Sequence, residues 1–567
     1  MAMMHRPGAG RSARRRSLRR SVTRAAVGSQ GDRCTCPARP SASGAAMRTP
    51  LVIIGALLLP VALTLSAVVG AVLLTGHGAC PRPSRPYLPG ARILAMSTVA
   101  RPGAMGARAS RLGRPLVTGV PAFCDVTIIL THPPLRDRVR IEVWLPRSTW
   151  NGRFQATGGG AFAAGEFQRD LVPAVRRGYA AASTDAGVPG MAKSPPVWAL
   201  RDDRTINEGL LANFAYRSVH DMSRIGKQVI ARFYGRPPAY SYFTGCSTGG
   251  RQGLLEAQRY PGDFDGILAA APAIDWNRLT LAQFWPQVVM NEAGVYPTAC
   301  EFAAFNRAAI AACDGDDRRL DGIIGRPDAC RFDPGRLVGT SVRCHGRTIR
   351  ISQADADIVR RIWDGPTTRT GERVWYGLPR GASFSWLAGT AKPLFGARRG
   401  APFPVAAGWI RYFLLQQPHL DVSTIGYPEF ERLFDESQAR YGAVIGSDEP
   451  DLSAFRAAGG KMITWHGLAD PAVFPQGTVD YRRRVESAMG GAEATDRFYR
   501  VFLAPGVGHC SGGAGPVPTD PLAALVDWVE HGRAPDTLPA ASTGVHPNIS
   551  GVLCRYPQQA TADRPCR

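Results

Sequence analysis

The feature that most constrains this chain is a glycine-rich turn with a serine at its centre, Gly245-Cys246-Ser247-Thr248-Gly249. The run before it, Tyr240–Phe243, is aromatic and β-prone, whereas the run after it, Gln252–Ala257, has a helical composition. A serine on a sharp strand-to-helix turn exposes its hydroxyl at the edge of a sheet, where it can act as a nucleophile. The pattern alone also fits an ordinary glycine-rich turn, so partner residues must decide the assignment.

A nucleophilic serine of this kind needs an acid and then a histidine later in the chain. Asp470 follows a buried, strand-like run that begins at Lys461, and a second such run, Arg497–Leu503, leads into a Gly/Pro-rich loop that carries His509. We prefer His509 as the base because it alone follows a late strand on such a loop. The alternative bases are His466 and His220. The order Ser247, Asp470, His509 predicts an α/β-hydrolase fold.

Two cysteines flank the predicted catalytic residues. Cys246 immediately precedes Ser247, and Cys510 immediately follows His509. If the serine and histidine side chains meet within hydrogen-bond reach, their sequence neighbours come to about the 5.5–6 Å Cα separation of a disulfide. We therefore expect a bridge between Cys246 and Cys510, the alternative being two unrelated buried cysteines.

This arrangement of Cys-Ser, Asp and His-Cys resembles the tannase and feruloyl esterase family. The resemblance covers about residues 90 to 567. It implies an α/β-hydrolase with an inserted lid domain and a secreted serine esterase that acts on aromatic esters. Further segments resemble family motifs: Trp150–Phe154, Thr157–Gly160, Ala182–Gly187, Glu256–Pro261 and Phe264–Ile267.

The oxyanion of an acyl-transfer intermediate needs two aimed hydrogen-bond donors. One is expected to be the backbone N–H of Thr248, directly after the nucleophile, and the other comes from an early glycine loop, where Gly159 and Gly160 are the candidates. The alternative for that loop is a plain turn after the predicted strand Arg153–Ala156. Its position after an early strand favours the oxyanion role.

An acidic loop between Cys313 and Cys330 predicts a calcium site. Hard cations prefer several carboxylate and carbonyl oxygens, which a short acidic loop with a glycine supplies. The loop is not an EF-hand, because the glutamate at position twelve is absent, and the pair Arg318-Arg319 places two cations near it. The alternative is a solvated acidic turn. The resemblance implies side-chain ligands at Asp314, Asp317 and Asp321 and carbonyl ligands at Arg319 and Ile323.

Length and composition indicate an enzyme of several segments. The 567 residues, 45% hydrophobic and 20% charged, can bury a large core. We expect a basic, disordered leader at 1–46, which is alternatively a gene-model extension before Met47, then a signal peptide or membrane anchor at 47–79. The hydrolase domain occupies 80–275 and 448–567, and a lid with the calcium loop occupies 276–447. Aromatic residues in the lid either pack in its core or contact a phenolic acyl group: Trp375, Tyr376 and Trp386.

The charge of the chain is concentrated at its start. Residues 1–50 hold 11 Arg and one Asp, which contributes +10 to the formal net charge of +23. No nucleic-acid module or aromatic interleaving accompanies the basic run, so nucleic-acid binding is not expected. The uncharged run 51–74 would make the membrane a partner only if it stays uncleaved.

Ten cysteines remain outside the leader, an even number that suits a secreted or cell-envelope protein. Local spacing and the family resemblance indicate pairs Cys313–Cys330, Cys554–Cys566 and Cys80–Cys124, which leaves Cys300 with Cys344.

The functions that follow from the resemblance are hydrolysis of hydroxycinnamoyl or galloyl esters, free or linked to polysaccharide, and hydrolysis of a terephthalate monoester. A secreted binding protein without turnover and a peptidase on the same fold are the remaining alternatives.

Overall fold

Nine strands form one mixed sheet in this computed structural model, which describes residues 79–103, 119–188, 190, 195–542, 550–559 and 566. The predicted leader at 1–46 and the apolar run at 51–74 lie outside those residues. Within the described ranges, no helix has the length and apolar character needed to cross a membrane. The strands in chain order are β1 (Arg92–Arg101), β2 (Phe123–Thr131), β3 (Val139–Pro146), β4 (Arg153–Thr157), β5 (Ala180–Thr184), β6 (Tyr240–Cys246), β7 (Gly266–Ala270), β8 (Ser341–Cys344), β9 (Arg347–Arg350), β10 (Thr390–Ala391), β11 (Arg399–Gly400), β12 (Lys461–Gly467), β13 (Tyr499–Ala504), β14 (Val517–Pro518), β15 (Thr537–Ala541) and β16 (Ser550–Cys554).

The strand order across the main sheet is β1-β2-β3-β5-β4-β6-β7-β12-β13. Strands β1, β2, β3 and β5 pair antiparallel, whereas every pair from β5 to β13 is parallel. All five residues of β5 and of β7 are buried. Parallel strands that are covered on both faces consist of small and apolar residues, as these two do. The carboxyl ends of the parallel strands therefore share one edge of the sheet.

Helices cover both faces of this sheet. Helices α3 (Ser218–Tyr234), α4 (Thr248–Arg259) and α11 (Pro475–Met489) pack on one face, and α1 (Phe167–Arg176) and α13 (Pro521–His531) pack on the other. Strand β6 and helix α4 lie where the sequence predicts a strand and a helix around Ser247. The helices in chain order are α1 (Phe167–Arg176), α2 (Glu208–Ala212), α3 (Ser218–Tyr234), α4 (Thr248–Arg259), α5 (Trp276–Ala293), α6 (Ala299–Cys313), α7 (Gln353–Asp364), α8 (Pro404–Gly408), α9 (Tyr427–Ile445), α10 (Ser453–Ala457), α11 (Pro475–Met489), α12 (Ala492–Asp496) and α13 (Pro521–His531).

The chain leaves the sheet between β7 and β12, and we call residues 276–447 the insertion. It contains helices α5 to α9 and two short hairpins, β8–β9 and β10–β11. Its core is aromatic: the rings of Trp409 and Phe413 stack at 4.3 Å, and Phe162, which follows β4, stacks on Phe413 at 6.2 Å. One continuous apolar cluster thus joins the insertion to the sheet domain. That the insertion acts as a lid stays a prediction.

A buried histidine, His132, connects the end of β2 to helix α3. Its Nδ1 lies 2.6 Å from Asp137 Oδ2, and its Nε2 lies 2.9 Å from Asp221 Oδ2. Burial alone would lower the pKa of His132. The hydrogen bonds of Asp137 and Asp221 and the charge of Asp221 outweigh burial and the opposing charge of Arg217, and they raise the pKa to about 9.

We expect the substitution His132→Gln to lower the Tm more near pH 6 than near pH 10. Because the folded-state pKa is raised, the stabilisation is fully present below the unfolded pKa of about 6.5 and is lost as the pH rises through about 9. The shift corresponds to on the order of 3 kcal/mol. Thermal unfolding followed by circular dichroism at the two pH values measures this. The exposed His531 beside Asp527 provides the control His531→Gln. An equal loss of Tm for His132→Gln at both pH values would contradict the assignment.

Candidate active site

Ser247 lies on the sharp turn between β6 and α4, with φ of 64° and ψ of −120°. An L-residue rarely adopts this left-handed region, and such strain is typical of a nucleophile held clear of its own helix. Neighbouring glycines permit the turn, since a Cβ on Gly245 would come within 2.5 Å of the backbone of Gly249. The N–H of Ser247 donates to Ala270 O at 3.1 Å, which fixes the turn to strand β7.

The glycine loop after β4 lies directly against this turn. The N–H of Gly249 donates to Gly159 O at 2.9 Å. The N–H of Gly159 in turn donates to Gln252 Oε1 at 3.0 Å, so that group is already engaged. Thr248 is the first residue of α4, and the N–H groups in the first turn of a helix have no partner within the helix. Of the three predicted oxyanion donors, Gly159 is therefore engaged with Gln252. The N–H groups of Thr248 and of Gly160, the next residue in the glycine loop, are not held by Gln252.

Asp470 and His509 follow strands β12 and β13 and meet at the same edge of the sheet as Ser247. Asp470 Oδ2 lies 2.7 Å from His509 Nδ1, and Asp470 Oδ1 accepts the N–H groups of Ala472 and Val473 at 2.8 Å each. Burial would raise the pKa of Asp470, which has no exposed surface. The two facing histidines, His509 and His466, outweigh this effect and hold the pKa well below its usual range.

His466, an alternative base in the sequence analysis, is fully buried behind Asp470. Its Nε2 lies 3.2 Å from Asp470 Oδ2 and 3.1 Å from Val473 O, and its Nδ1 lies 2.8 Å from Thr478 Oγ1. Because a carbonyl oxygen can only accept, Nε2 carries the proton and donates. The other alternative, His220, bonds Asp263 at 2.7 Å and stacks on Tyr260.

The described residues contain five disulfides, and one of them joins Cys246 to Cys510 with a Cα separation of 5.9 Å. This bridge connects the residue before Ser247 to the residue after His509. Three of the other bridges are the pairs that spacing and the family resemblance indicate, and the fourth, Cys300–Cys344, is the pair that remained: Cys80–Cys124, Cys313–Cys330, Cys554–Cys566 and Cys300–Cys344.

Ser247 and His509 line one cavity of about 860 Å³ between the sheet and the insertion. The ring of Trp386 lies 5.8 Å from the His509 imidazole, edge to face. Trp375 and Tyr376 pack against the insertion core, so of the three predicted aromatic contacts only Trp386 is among the residues that line this cavity. The other apolar lining residues include Trp276, Leu279, Phe403, Pro404, Val405 and Val473, and both Gly159 and Gly160 also line it.

One margin of the cavity is charged, which the sequence analysis missed. Glu166, Arg169 and Asp170, at the start of α1, line it. Burial and the nearby Glu166 raise the pKa of Asp170 to about 6, against the opposing charge of Arg169. Nothing in the local sequence distinguishes these residues from an ordinary charged helix start.

The predicted calcium loop brings its carboxylates near one another. Asp314 Oδ1 accepts three backbone N–H groups, from residues 321–323, at 2.9 to 3.2 Å. Asp317 Oδ1 accepts the N–H of Arg319 at 3.0 Å. Burial and the charges of Asp317 and Asp314 raise the pKa of Asp321. A cation in this loop would relieve the repulsion among the three carboxylates, so the donor set fits a hard cation.

Among the described residues there is one tighter group of possible metal ligands, but it contains none of these aspartates. The set of three ligand-type side chains whose atoms lie within 4.8 Å of one another is Cys300, Cys344 and His345, and its two sulfurs form a disulfide. The three aspartates would therefore have to close further around an ion.

These elements define an α/β-hydrolase in which the strained turn at Ser247, the buried Asp470 and His509 share one edge of a mostly parallel sheet. The family model for tannase and feruloyl esterase matches residues 124–564. The chain therefore belongs to the tannase and feruloyl esterase family and is a carboxylic ester hydrolase.

Individual relatives agree with this assignment. The chain is 44% identical to a probable feruloyl esterase of Arthroderma benhamiae, across 88% of this chain and 94% of that protein. It is 30% identical to the mono(2-hydroxyethyl) terephthalate hydrolase of Piscinibacter sakaiensis, across 78% and 82%. Among solved structures, the tannin acyl hydrolase of Aspergillus niger is 27% identical, with a TM-score of 0.77 over 86% of this chain and 92% of that one.

We expect the double variant Cys246→Ala with Cys510→Ala to lose activity even where it remains folded. The bridge closes a loop with a sequence separation of 264 residues, for which the chain-entropy model allows about 5 kcal/mol. It also fixes the approach of His509 to Ser247, and a small displacement of a base can cost on the order of 10²-fold in rate. Ester hydrolysis below the Tm of the variant measures this effect.

The matched control is Cys300→Ala with Cys344→Ala, which removes a bridge that does not line the cavity and should leave kcat unchanged in folded protein. Peptide mapping without reduction should recover Cys246 and Cys510 in one cross-linked fragment. Recovery of either as a free, alkylatable thiol in active enzyme would contradict the proposed constraint.

Proposed function

We propose that this chain is a secreted serine esterase that hydrolyses hydroxycinnamoyl- or galloyl-type aromatic esters through an acyl-enzyme. The observation that carries the proposal is the cavity that Ser247 and His509 line together, with His509 Nδ1 held 2.7 Å from the buried Asp470. Aromatic walls at Trp276, Trp386 and Phe403 suit a planar acyl group.

In the proposed mechanism, His509 Nε2 accepts the proton of the Ser247 hydroxyl as its oxygen attacks the ester carbonyl. Asp470 fixes the imidazole tautomer through Nδ1 and stabilises the imidazolium that forms. The N–H of Thr248 and, because Gly159 is engaged with Gln252, the N–H of Gly160 stabilise the oxyanion. The imidazolium then protonates the leaving alcohol, and water, activated by the same His509, releases the acid.

The two alternative functions are hydrolysis of a terephthalate monoester and ligand binding without turnover. The relationship to a terephthalate monoester hydrolase makes such an ester the main alternative substrate. A binding protein without turnover would need no strained serine, whereas Ser247 is held at a φ of 64°. Strain of this kind favours a catalytic role.

We further propose that the loop from Asp314 to Ile323 holds a structural calcium ion. Asp314, Asp317 and Asp321 would supply carboxylate oxygens, and Arg319 and Ile323 would supply carbonyl oxygens. The ion would supply charge compensation for the loop and no step of the reaction, because neither the loop nor its residues line the cavity.

Five disulfides support an extracytoplasmic location, since such bonds persist in oxidising compartments. The apolar run at 51–74 would act as the export signal, or as an anchor if it stays uncleaved.

Ser247→Ala and His509→Ala should each lower kcat by several orders of magnitude, and Asp470→Asn by on the order of 10⁴-fold or less through the wrong tautomer. Methyl ferulate, methyl gallate and a terephthalate monoester form the assay panel. Ser511→Ala is the control, because this exposed serine lines the same cavity outside the proposed triad. Full activity of the Ser247 or His509 variant would reject the mechanism, and turnover of the terephthalate ester alone would replace the proposed substrate class.

Chelation of calcium should lower the Tm of the wild-type protein, because a ligand bound only to the native state stabilises it by mass action. The variant Asp317→Ala with Asp321→Ala should begin at the lower Tm and respond no further to chelator. Asp316→Ala, an exposed neighbour outside the proposed ligand set, should keep the wild-type response. A Tm that ignores chelator in all three proteins would reject the site. Loss of activity at unchanged Tm would point to a catalytic metal instead.

A further inference from the structure

Helix α5 presents three residues to the active-site cavity. Trp276, Leu279 and Gln283 are spaced by three and four positions, so they share one face of the helix, and all three line the cavity with Ser247. Two of them carry polar groups on an otherwise apolar wall. The first helix of the insertion therefore forms a wall of the cavity with a small number of placed polar atoms.

The amide of Gln283 has only one of its two ends satisfied. Its Nε2 donates to Ala472 O at 2.9 Å, and this bond fixes the orientation of the amide, because the reverse orientation would set two oxygens against each other. Gln283 is 4% exposed, and its Oε1 is buried without a hydrogen-bond partner among the described residues. Native proteins seldom leave a buried acceptor unpaired, and because Gln283 is among the residues that line the cavity, a ligand hydroxyl that donates to Oε1 would satisfy it.

Trp276, two turns earlier on the same face, also has an unpaired buried group. Its Nε1–H lacks an acceptor among the described residues. The wall thus offers one acceptor and one donor, both in need of a partner. A hydroxyl both donates and accepts, whereas a carboxylate can only accept.

Charged and uncharged residues line different sides of the cavity. The insertion contributes uncharged lining residues. Among the described residues, the carboxylate and guanidinium groups that line the cavity belong to Glu166, Arg169 and Asp170 at the start of α1. An aromatic acyl group with a neutral phenolic hydroxyl suits the α5 wall. A terephthalate carboxylate would place a charge and a further acceptor beside Gln283 Oε1. The hydrated alcohol portion of the ester suits the charged margin.

We infer that Gln283 Oε1 accepts a hydrogen bond from the ring hydroxyl of the acyl group, which makes Gln283 a residue that selects 4-hydroxycinnamoyl over unsubstituted cinnamoyl esters. This inference rests on the proposed esterase function and adds to it the residue that recognises the phenol. It assigns the α5 wall to the acyl group and leaves the α1 margin to the alcohol.

The test compares kcat/KM for methyl 4-hydroxycinnamate and methyl cinnamate in each protein. The ratio of the two values is independent of the fraction of folded enzyme, and comparison between variants cancels the intrinsic reactivity of the esters. We expect the wild type to prefer the hydroxylated ester and Gln283→Leu to reduce that preference by roughly tenfold, the range expected for one buried hydrogen bond. Gln283→Met, of similar volume, should behave in the same way, and Gln283→Glu, which keeps an acceptor oxygen, should retain more of the preference.

Gln287→Leu is the matched control. Gln287 lies one turn further along α5, is fully buried and also has an unpaired Oε1, but it does not line the cavity. It should leave the ratio unchanged whatever it does to stability. A fall of less than roughly threefold in both apolar Gln283 variants, or an equal fall in Gln287→Leu, would overturn the inference and leave the esterase function standing. Failure of the wild type to hydrolyse either ester would overturn the proposed substrate class and this inference together.

Discussion

The disulfide between Cys246 and Cys510 joins two turns whose strands are not neighbours in the sheet. Strands β6 and β13 are separated by β7 and β12, so at ~4.8 Å per strand their ends lie about 14 Å apart. The Cα atoms of the two cysteines are nevertheless 5.9 Å apart. The loop after β13 must therefore fold back across the ends of two strands, and the covalent bond holds it there. Without that bond, the position of His509 relative to Ser247 would depend on the hydrogen bonds of its loop, such as Ala469 N–H to Val507 O at 3.0 Å and His509 Nδ1 to Asp470 at 2.7 Å.

The carboxylate of Asp470 is also held in a fixed position, as the loop that carries His509 is. A buried charge is costly unless it is hydrogen-bonded and paired, and Asp470 has two backbone N–H donors and two histidines around it. Each of these partners lies within β12 or on the turns that follow β12 and β13, so Asp470 is anchored to the sheet. His466 adds a donor from inside the strand itself. The imidazole of His509 consequently faces the cavity from a fixed support.

The parts of the site that local sequence determines could be predicted, and the parts that depend on packing could not. The strands before Ser247, Asp470 and His509 are apolar runs that end in glycine or proline turns, so their ends are visible in the sequence. The bridge followed from the neighbours of two of those residues. The contact of His466 with Asp470 could not be predicted in this way. The sequence places His466 in a buried strand, but nothing in the pattern indicates which residue its ring nitrogens contact. Gln252, which engages Gly159, and Gln283, which faces the cavity, are ordinary helical glutamines in sequence.

The sheet domain and the insertion contribute different residues to the cavity, and this has a chemical consequence. The proposed catalytic residues sit on turns fixed by the parallel strands, whereas α5, Trp386 and residues 403–405 of the insertion supply one apolar part of the cavity wall. In the proposed mechanism, a change in the insertion can thus alter which acyl group fits without moving Ser247 or His509, as is usual where loops carry specificity on a fixed scaffold. The exposed Trp386 contacts both parts, because its ring lies against His509 and stacks with Phe403 at 6.0 Å. Its position physically couples the shape of the cavity wall to the orientation of His509, the proposed base.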